Sequence, residues 1–105
     1  MSPSMAITLE RRPGVALVHL AGHLGLDGRP GLKAACEACL ADPEIRELCL
    51  DLAGIESADS TALALLLVVR ERAHGLGRRV SLTGCGGCDA GRLAIADVER
   101  YFSVV

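Results

Sequence analysis

Three groups of residues in this 105-residue chain carry side chains that can do chemistry. The first is Asp59-Ser60-Thr61, a carboxylate and two hydroxyls directly ahead of the apolar run Ala62 to Val69. The pattern predicts a helix from Asp59 to about His74, which puts both hydroxyls at a helix N-terminus. Backbone N–H groups are unpaired there and carry partial positive charge, so an added phosphoryl group is electrostatically favoured. Ser60 is therefore the candidate phosphorylation site. Asp, Ser and Thr are also the preferred N-caps, and capping alone accounts for all three residue types.

The second group is a pair of CxxC motifs, Cys36-x-x-Cys39 and Cys85-x-x-Cys88. Two such pairs can build a tetrahedral zinc site, which makes Cys36, Cys39, Cys85 and Cys88 the metal-ligand candidates. The separation of the pairs fits no common zinc finger. Cys36 and Cys39 also fall on the helical face that carries Leu32, Ala35 and Leu40, where a cysteine serves as a small apolar residue. No metal and no cofactor is expected. Cys85-Gly-Gly-Cys88 lies between a strand and a helix, a setting in which thiolates become reactive. A small dithiol oxidoreductase is thus one reading, although the tryptophan or proline such motifs often contain is absent.

The third group is His19, His23 and His74, which are dispersed and form no catalytic pair on spacing. A Gly-x-Ser-x-Gly elbow is missing, and so is a glycine-rich phosphate loop with lysine; the one lysine is Lys33. These absences argue against a serine hydrolase and against a phosphate-loop nucleotide site.

The elements that must position these residues follow from the hydrophobic pattern. Ile7 to Arg11 and Val15 to Ala21 read as a hairpin turned at Pro13-Gly14, with Gly22-His23-Leu24 leaving the second strand. A helix begins near Asp27 or Gly28, tolerates Pro30 in its first turn, and stops at Asp42-Pro43. Glu47 to Leu52 is a strand and Ala53 to Ser57 a turn. The next helix carries Leu63, Leu66, Leu67 and Arg70 at helical intervals and is stopped by Gly75 and Gly77. Arg79 to Thr83 is a strand, Ala90 to Val98 a helix, and Tyr101 to Val105 a short final strand or tail. The order β-β-α-β-α-β-α predicts an α/β fold: a four- or five-stranded mixed sheet covered by three or more helices. Function is expected at the carboxyl ends of the strands.

Half the residues are hydrophobic and only Tyr101 and Phe102 are aromatic, so the core must be aliphatic. The net charge of −2, with no basic stripe, argues against nucleic acid. No apolar run approaches the roughly 20 residues of a membrane span, so no membrane insertion is expected. The five cysteines, an odd number with no secretory signal before them, argue against a disulfide framework and for a cytoplasmic protein. Residues 1–105 read as one domain, with 1–5 a loose leader.

With these elements in order, the chain resembles the STAS domain family, named for sulfate transporters and anti-sigma factor antagonists. The resemblance runs from about Leu9 to Phe102. It rests on Gly22-His23-Leu24 with Asp27, Leu50-Asp51-Leu52, Asp59-Ser60, Gly77 before Val80-Ser81-Leu82, and the closing segment Ile95 to Phe102. In the antagonist branch the serine after the aspartate is phosphorylated by a partner kinase. The resemblance implies that Ser60 is phosphorylated and that Asp27, Asp59, Ser60, Thr61 and His23 form the partner-binding surface. It implies as partners a kinase-like anti-sigma factor, a GHKL-type ATPase, and a serine phosphatase. A phosphoserine, with about −1.5 to −2 charge, would repel acidic partner groups. The family usually has glycine two positions after the phosphoacceptor; here it is Ala62. The run Leu63-Ala64-Leu65-Leu66-Leu67 also resembles small STAS subunits of lipid-transport ATP-binding-cassette systems, and a cytoplasmic transporter subunit is the alternative reading.

Overall fold

The computed structural model describes residues 5–59 and 61–84, together with the backbone of 103–104. The elements are β1 (Ala6–Arg12), β2 (Val15–Leu24), a 3₁₀ turn (Leu26–Gly28), α1 (Arg29–Leu40), β3 (Glu47–Ala58), α2 (Ala62–Gly75), β4 (Arg79–Thr83) and β5 (Ser103–Val104). They build one five-stranded sheet in the order β1-β2-β3-β4-β5, with β1 antiparallel to β2 and all later neighbours parallel. The predicted mixed sheet, the hairpin and the two central crossovers through α1 and α2 are therefore present. The expected helix Ala90 to Val98 and the Gly84–Cys88 loop lie outside the described residues, Gly84 excepted.

Strand alternation sorts the side chains into two faces. Ala16 and Val18 of β2 line up with Leu48 and Leu50 of β3, and these with Val80 and Leu82 of β4; Leu20 and Leu52 are buried in the same core. This aliphatic face meets the buried stripe Leu32, Cys36, Cys39 and Leu40 of α1. The buried positions of α2 are Ala62, Leu65, Leu66, Val69 and Ala73. Of the residues expected at helical intervals, Leu66 is buried, Leu63 and Leu67 are only partly buried, and Val68 beside them is 53% exposed. With leucine or valine at almost every position from 63 to 69, periodicity cannot pick the face. The contacts across the sheet do. Met5 belongs to the same core, so the loose leader expected over residues 1–5 does not include it.

The helix ends are closed by specific groups. Arg78 donates from Nη1 to the Leu40 carbonyl at 2.9 Å, capping the C-terminus of α1. The chain leaves α2 in a Schellman closure, with Gly77 N–H donating to His74 and Arg78 N–H to Ala73, and Gly77 at φ 76°.

Two boundaries differ from expectation, and both move the site. β2 runs on through Gly22-His23-Leu24, and β3 runs on through Ala53 to Ala58, where a turn was predicted. The extensions pair with each other in parallel: Ala21 with Gly54, Gly22 with Ile55, His23 with Ser57 and Leu24 with Ala58, with register shifts between His19 and Ala21 and between Gly22 and His23. Gly54 suggested a turn, but its reason is space. A Cβ there would sit 2.9 Å from the Leu20 carbonyl oxygen.

On the opposite sheet face His19 ties three strands together. Its Nδ1–H donates to Asp51 Oδ2 of β3 at 2.8 Å, and its Nε2 lies 3.5 Å from Glu10 Oε1 of β1. The bond to Asp51 raises the His19 pKa above its ordinary 6.5, against a smaller opposing effect of desolvation. The Asp51 pKa is lowered from 3.8, first by the Ala53 backbone N–H and then by His19. A raised histidine pKa stabilises the fold fully below the ordinary value, and that contribution is lost as pH rises through the folded value. A depressed aspartate pKa contributes above its ordinary value and is lost as pH falls. The pair is thus most stabilising between about pH 4 and pH 6.5. His19→Gln should cost more stability at about pH 5.5 than at about pH 9, measured by urea denaturation. A cost that does not change with pH would exclude the ion pair.

Candidate functional site

The parallel extensions of β2 and β3 end side by side, and α2 begins four residues beyond the end of β3. Asp59 is the hub of this edge. Its backbone N–H donates to Leu24 O at 3.1 Å, tying it to the exit of β2. Its Oδ1 accepts the Thr61 backbone N–H at 2.8 Å and also the Thr61 hydroxyl. Its Oδ2 lies 3.3 Å from His23 Nε2. The Asp59 carbonyl accepts Ala62 N–H at 3.1 Å. These contacts hold the Asp59 carboxyl below its usual range, the Thr61 hydroxyl and N–H first, then His23 and the Leu26 N–H.

The helix therefore starts later than predicted, at Ala62 with Thr61 as N-cap, and Thr61 makes no capping bond with its own side chain. Asp59 supplies the bond from three residues before the first helical position, as an Asx-type turn. The sequence suggested an aspartate cap inside the helix start. The aspartate is instead a brace outside it, because the parallel pairing of β3 holds the chain extended through Ala58.

His23 completes the cluster. Its Nδ1 is 2.7 Å from Ser57 Oγ, its parallel partner across the sheet. A carboxylate only accepts, so Nε2 carries the proton toward Asp59, and in the uncharged ring Nδ1 accepts the Ser57 hydroxyl. Side chains of His23 and Asp59 are 35% and 39% exposed, open enough for another molecule to meet. Of the five residues expected at the partner surface, His23, Asp59 and Thr61 are brought together here. Asp27 is exposed in the 3₁₀ turn, and no hydrogen bond or ion pair among the described residues joins it to the cluster. Ser60 lies outside the described residues. Ser57 and Gly25 were not singled out in the sequence; reading β2 and β3 to their true ends in parallel register exposes the first, and the second shows only in three dimensions.

Gly25 is buried against the cluster. Its backbone is extended, φ −168° and ψ −170°, so torsion does not demand glycine. Space does: a Cβ would sit 2.7 Å from both His23 Nε2 and Asp59 Cγ, and closer still to Asp59 Oδ2. Ala62 is 0% exposed. Its methyl packs inward and adds no surface at the position where the resemblance leads one to expect glycine.

Among the described residues no group of three or more His, Cys, Asp or Glu could hold a metal ion. Cys36 and Cys39 are buried in α1, and burial pushes the Cys36 thiol up to about 12, away from the thiolate that metal binding or redox attack needs. Cys85 and Cys88 lie outside the described residues.

The family model described as "Mlab, STAS domain" matches residues 7–104. The chain belongs to the STAS domain family. No curated protein matches this STAS chain. Its fold is that of solved anti-sigma factor antagonists. SpoIIAA in its unphosphorylated form aligns with TM-score 0.71 at 14% identity, over 95% of this chain and 87% of that one. The Bacillus cell fate determinant SpoIIAA in its phosphorylated form aligns with TM-score 0.68 at 14% identity, over 95% and 91%. An anti-sigma factor antagonist from Mycobacterium paratuberculosis aligns with TM-score 0.71 at 23% identity, over 95% and 84%. Among the described residues no helix of the STAS chain is long and apolar enough to cross a membrane.

Proposed function

We propose that this STAS domain is a non-catalytic regulatory binding module, an anti-sigma factor antagonist in the cytoplasm. It binds a kinase-like anti-sigma factor of the GHKL ATPase type and is switched off by phosphorylation at Ser60, with a serine phosphatase restoring the active form. The observation that supports this most is the cluster of His23, Asp59 and Thr61 at the carboxyl edge of the parallel strands, with Asp59 and Thr61 the sequence neighbours of Ser60. Asp59 acts within it as an organiser. Its carboxylate is engaged by Thr61 and His23, so it fixes the segment and supplies a negative charge beside the phosphoacceptor. A phosphoseryl group of about −1.5 to −2 next to that carboxylate would concentrate negative charge on one edge. Acidic groups of a bound partner would then face strong repulsion. The likeness to SpoIIAA in both forms suits a switch that changes local charge without refolding the domain.

Capture of the GHKL ATPase by immobilised wild type, Ser60→Ala and Ser60→Asp tests the reading. Wild type and Ser60→Ala should capture alike, and Ser60→Asp should capture at least about tenfold less, since like charges across an interface cost several kcal/mol. The ATPase with ATP should label wild type and leave Ser60→Ala unlabelled. Equal capture by all three overturns the switch, and labelling that survives Ser60→Ala moves the acceptor to another hydroxyl.

A second reading, a STAS subunit docked on an ATP-binding-cassette lipid transporter, is favoured by the run Leu63 to Leu67. In that case the captured protein is a transport ATPase and Ser60→Ala is without effect on phosphate content.

A further inference from the structure

We infer that the groove between α1 and α2 is a binding site for a small amphiphilic carboxylate, independent of the edge that carries Asp59. Its floor is aliphatic: Leu32 and Cys36 from α1, and Leu65 and Val69 from α2, all buried beneath it. Val68, more than half exposed, forms one lip. The cavity measures about 140 Å³. A dry aliphatic cavity of about 150 Å³ accepts a benzene molecule, so the space suits an apolar body of about six to eight carbons with one end outside.

The rim is cationic. Arg29 and Lys33 are exposed at the groove, one turn apart on α1, and neither has an ion pair among the described residues. Among the described residues the only acid in the lining, Glu37, is already engaged: Arg72 Nε and Nη2 fork onto its two oxygens at 2.7 and 3.2 Å. That fork closes one end of the groove and, with the charge of Lys33 nearby, holds the Glu37 carboxyl below its usual range; Glu37 is ionised, and its negative charge is offset by the Arg72 guanidinium against it. Cys36 does not add a negative charge, because its thiol, pushed up to about 12, stays protonated. Three cations, Arg29, Lys33 and Arg72, stand against the single carboxylate of Glu37, which Arg72 holds and Lys33 also attracts, over an apolar floor; this excess of positive charge selects a ligand with a carboxylate head and a short apolar tail. A folded protein partner is the less suitable occupant, since the space takes a single side chain rather than the face of a helix.

The test is a titration of the full isotope-labelled chain, followed by amide chemical shifts, with octanoate, octanol and octylammonium as probes. Octanoate should give saturable shifts centred on Leu32, Cys36, Leu65 and Val69. Octanol should bind about tenfold more weakly for want of a charge-assisted contact, and octylammonium should not bind. Arg29→Gln combined with Lys33→Gln should reduce octanoate affinity to that of octanol; both positions are exposed, so the fold is retained. Equal binding of the three probes, shifts centred away from the groove, or undiminished octanoate binding by the double variant would each overturn the site. The capture experiment on Ser60 variants reads a different edge, so the two readings fail separately.

Discussion

Leu50→Ala should destabilise the domain by about 3 kcal/mol, within the 2–5 kcal/mol that truncating a buried leucine costs. Leu50 is 0% exposed and stands mid-strand in β3, with Val18 of β2 and Leu82 of β4 as its cross-strand neighbours on the helix-facing side. Both neighbours are fully buried too. A void there is enclosed by strands fixed in register on either side, so the surroundings have little freedom to collapse into it. No aromatic side chain is available in the described core to swing across the gap, because the aliphatic composition leaves only branched residues of fixed shape. The midpoint of urea denaturation should fall while the slope stays unchanged. A loss under about 1 kcal/mol would mean the core relaxes around the deletion, contrary to the rigid register described above.

Why the sequence disclosed the sheet and the helices but not the site follows from these same strands. β1, the first part of β2, the first part of β3 and β4 are apolar enough for pattern alone to find them. The final residues of β2 and β3, Gly22-His23-Leu24 and Ala53 to Ala58, carry glycine, histidine, glutamate and serine. Locally these are turn residues. They are strand because each extension supplies the other's pairing, a non-local condition that no window along the chain contains. The same limit applies to α2, where a run apolar on every side hides which face is buried. The residue types of the site were legible all the same: His23, Asp59 and Thr61 stand out as polar groups at predicted element ends. Their mutual arrangement was not, because Asp59 was read as a charge for a partner to meet and is first a brace for Thr61 and for the exit of β2. The wait for structure was longest for Gly25, whose importance lies wholly in the side chains that close over it.

Gly25→Ala should therefore separate the site's architecture from its chemistry. The substitution is permitted by the backbone and forbidden by the neighbours, with a Cβ 2.7 Å from His23 Nε2 and from Asp59 Cγ. Both side chains must shift, and Asp59 Oδ2 is the nearest atom. Asp59 is held by the Thr61 N–H and hydroxyl, whereas His23 is held by Ser57 and by Asp59 itself. Asp59 can swing its Oδ2 aside while Oδ1 keeps Thr61, and the imidazole, the freer group, should rotate out, breaking its contacts with Ser57 and Asp59. Overpacking of this kind costs about 1–3 kcal/mol, and about 2 kcal/mol is expected because a partly exposed ring can be expelled toward solvent. If the clash with His23 is the cause, the loss should shrink to under about 1 kcal/mol when Gly25→Ala is introduced into His23→Ala, a coupling that a double-mutant cycle measures directly. Strictly additive losses would place the strain on Asp59 instead. Capture of the anti-sigma partner distinguishes the consequences: on the proposed reading Gly25→Ala weakens it by displacing His23 while Ser60 remains a substrate for the kinase. A variant that is folded, captures the partner at full strength and has lost the His23–Asp59 contact would remove His23 from the binding surface and leave Asp59 and Thr61 as its organised part.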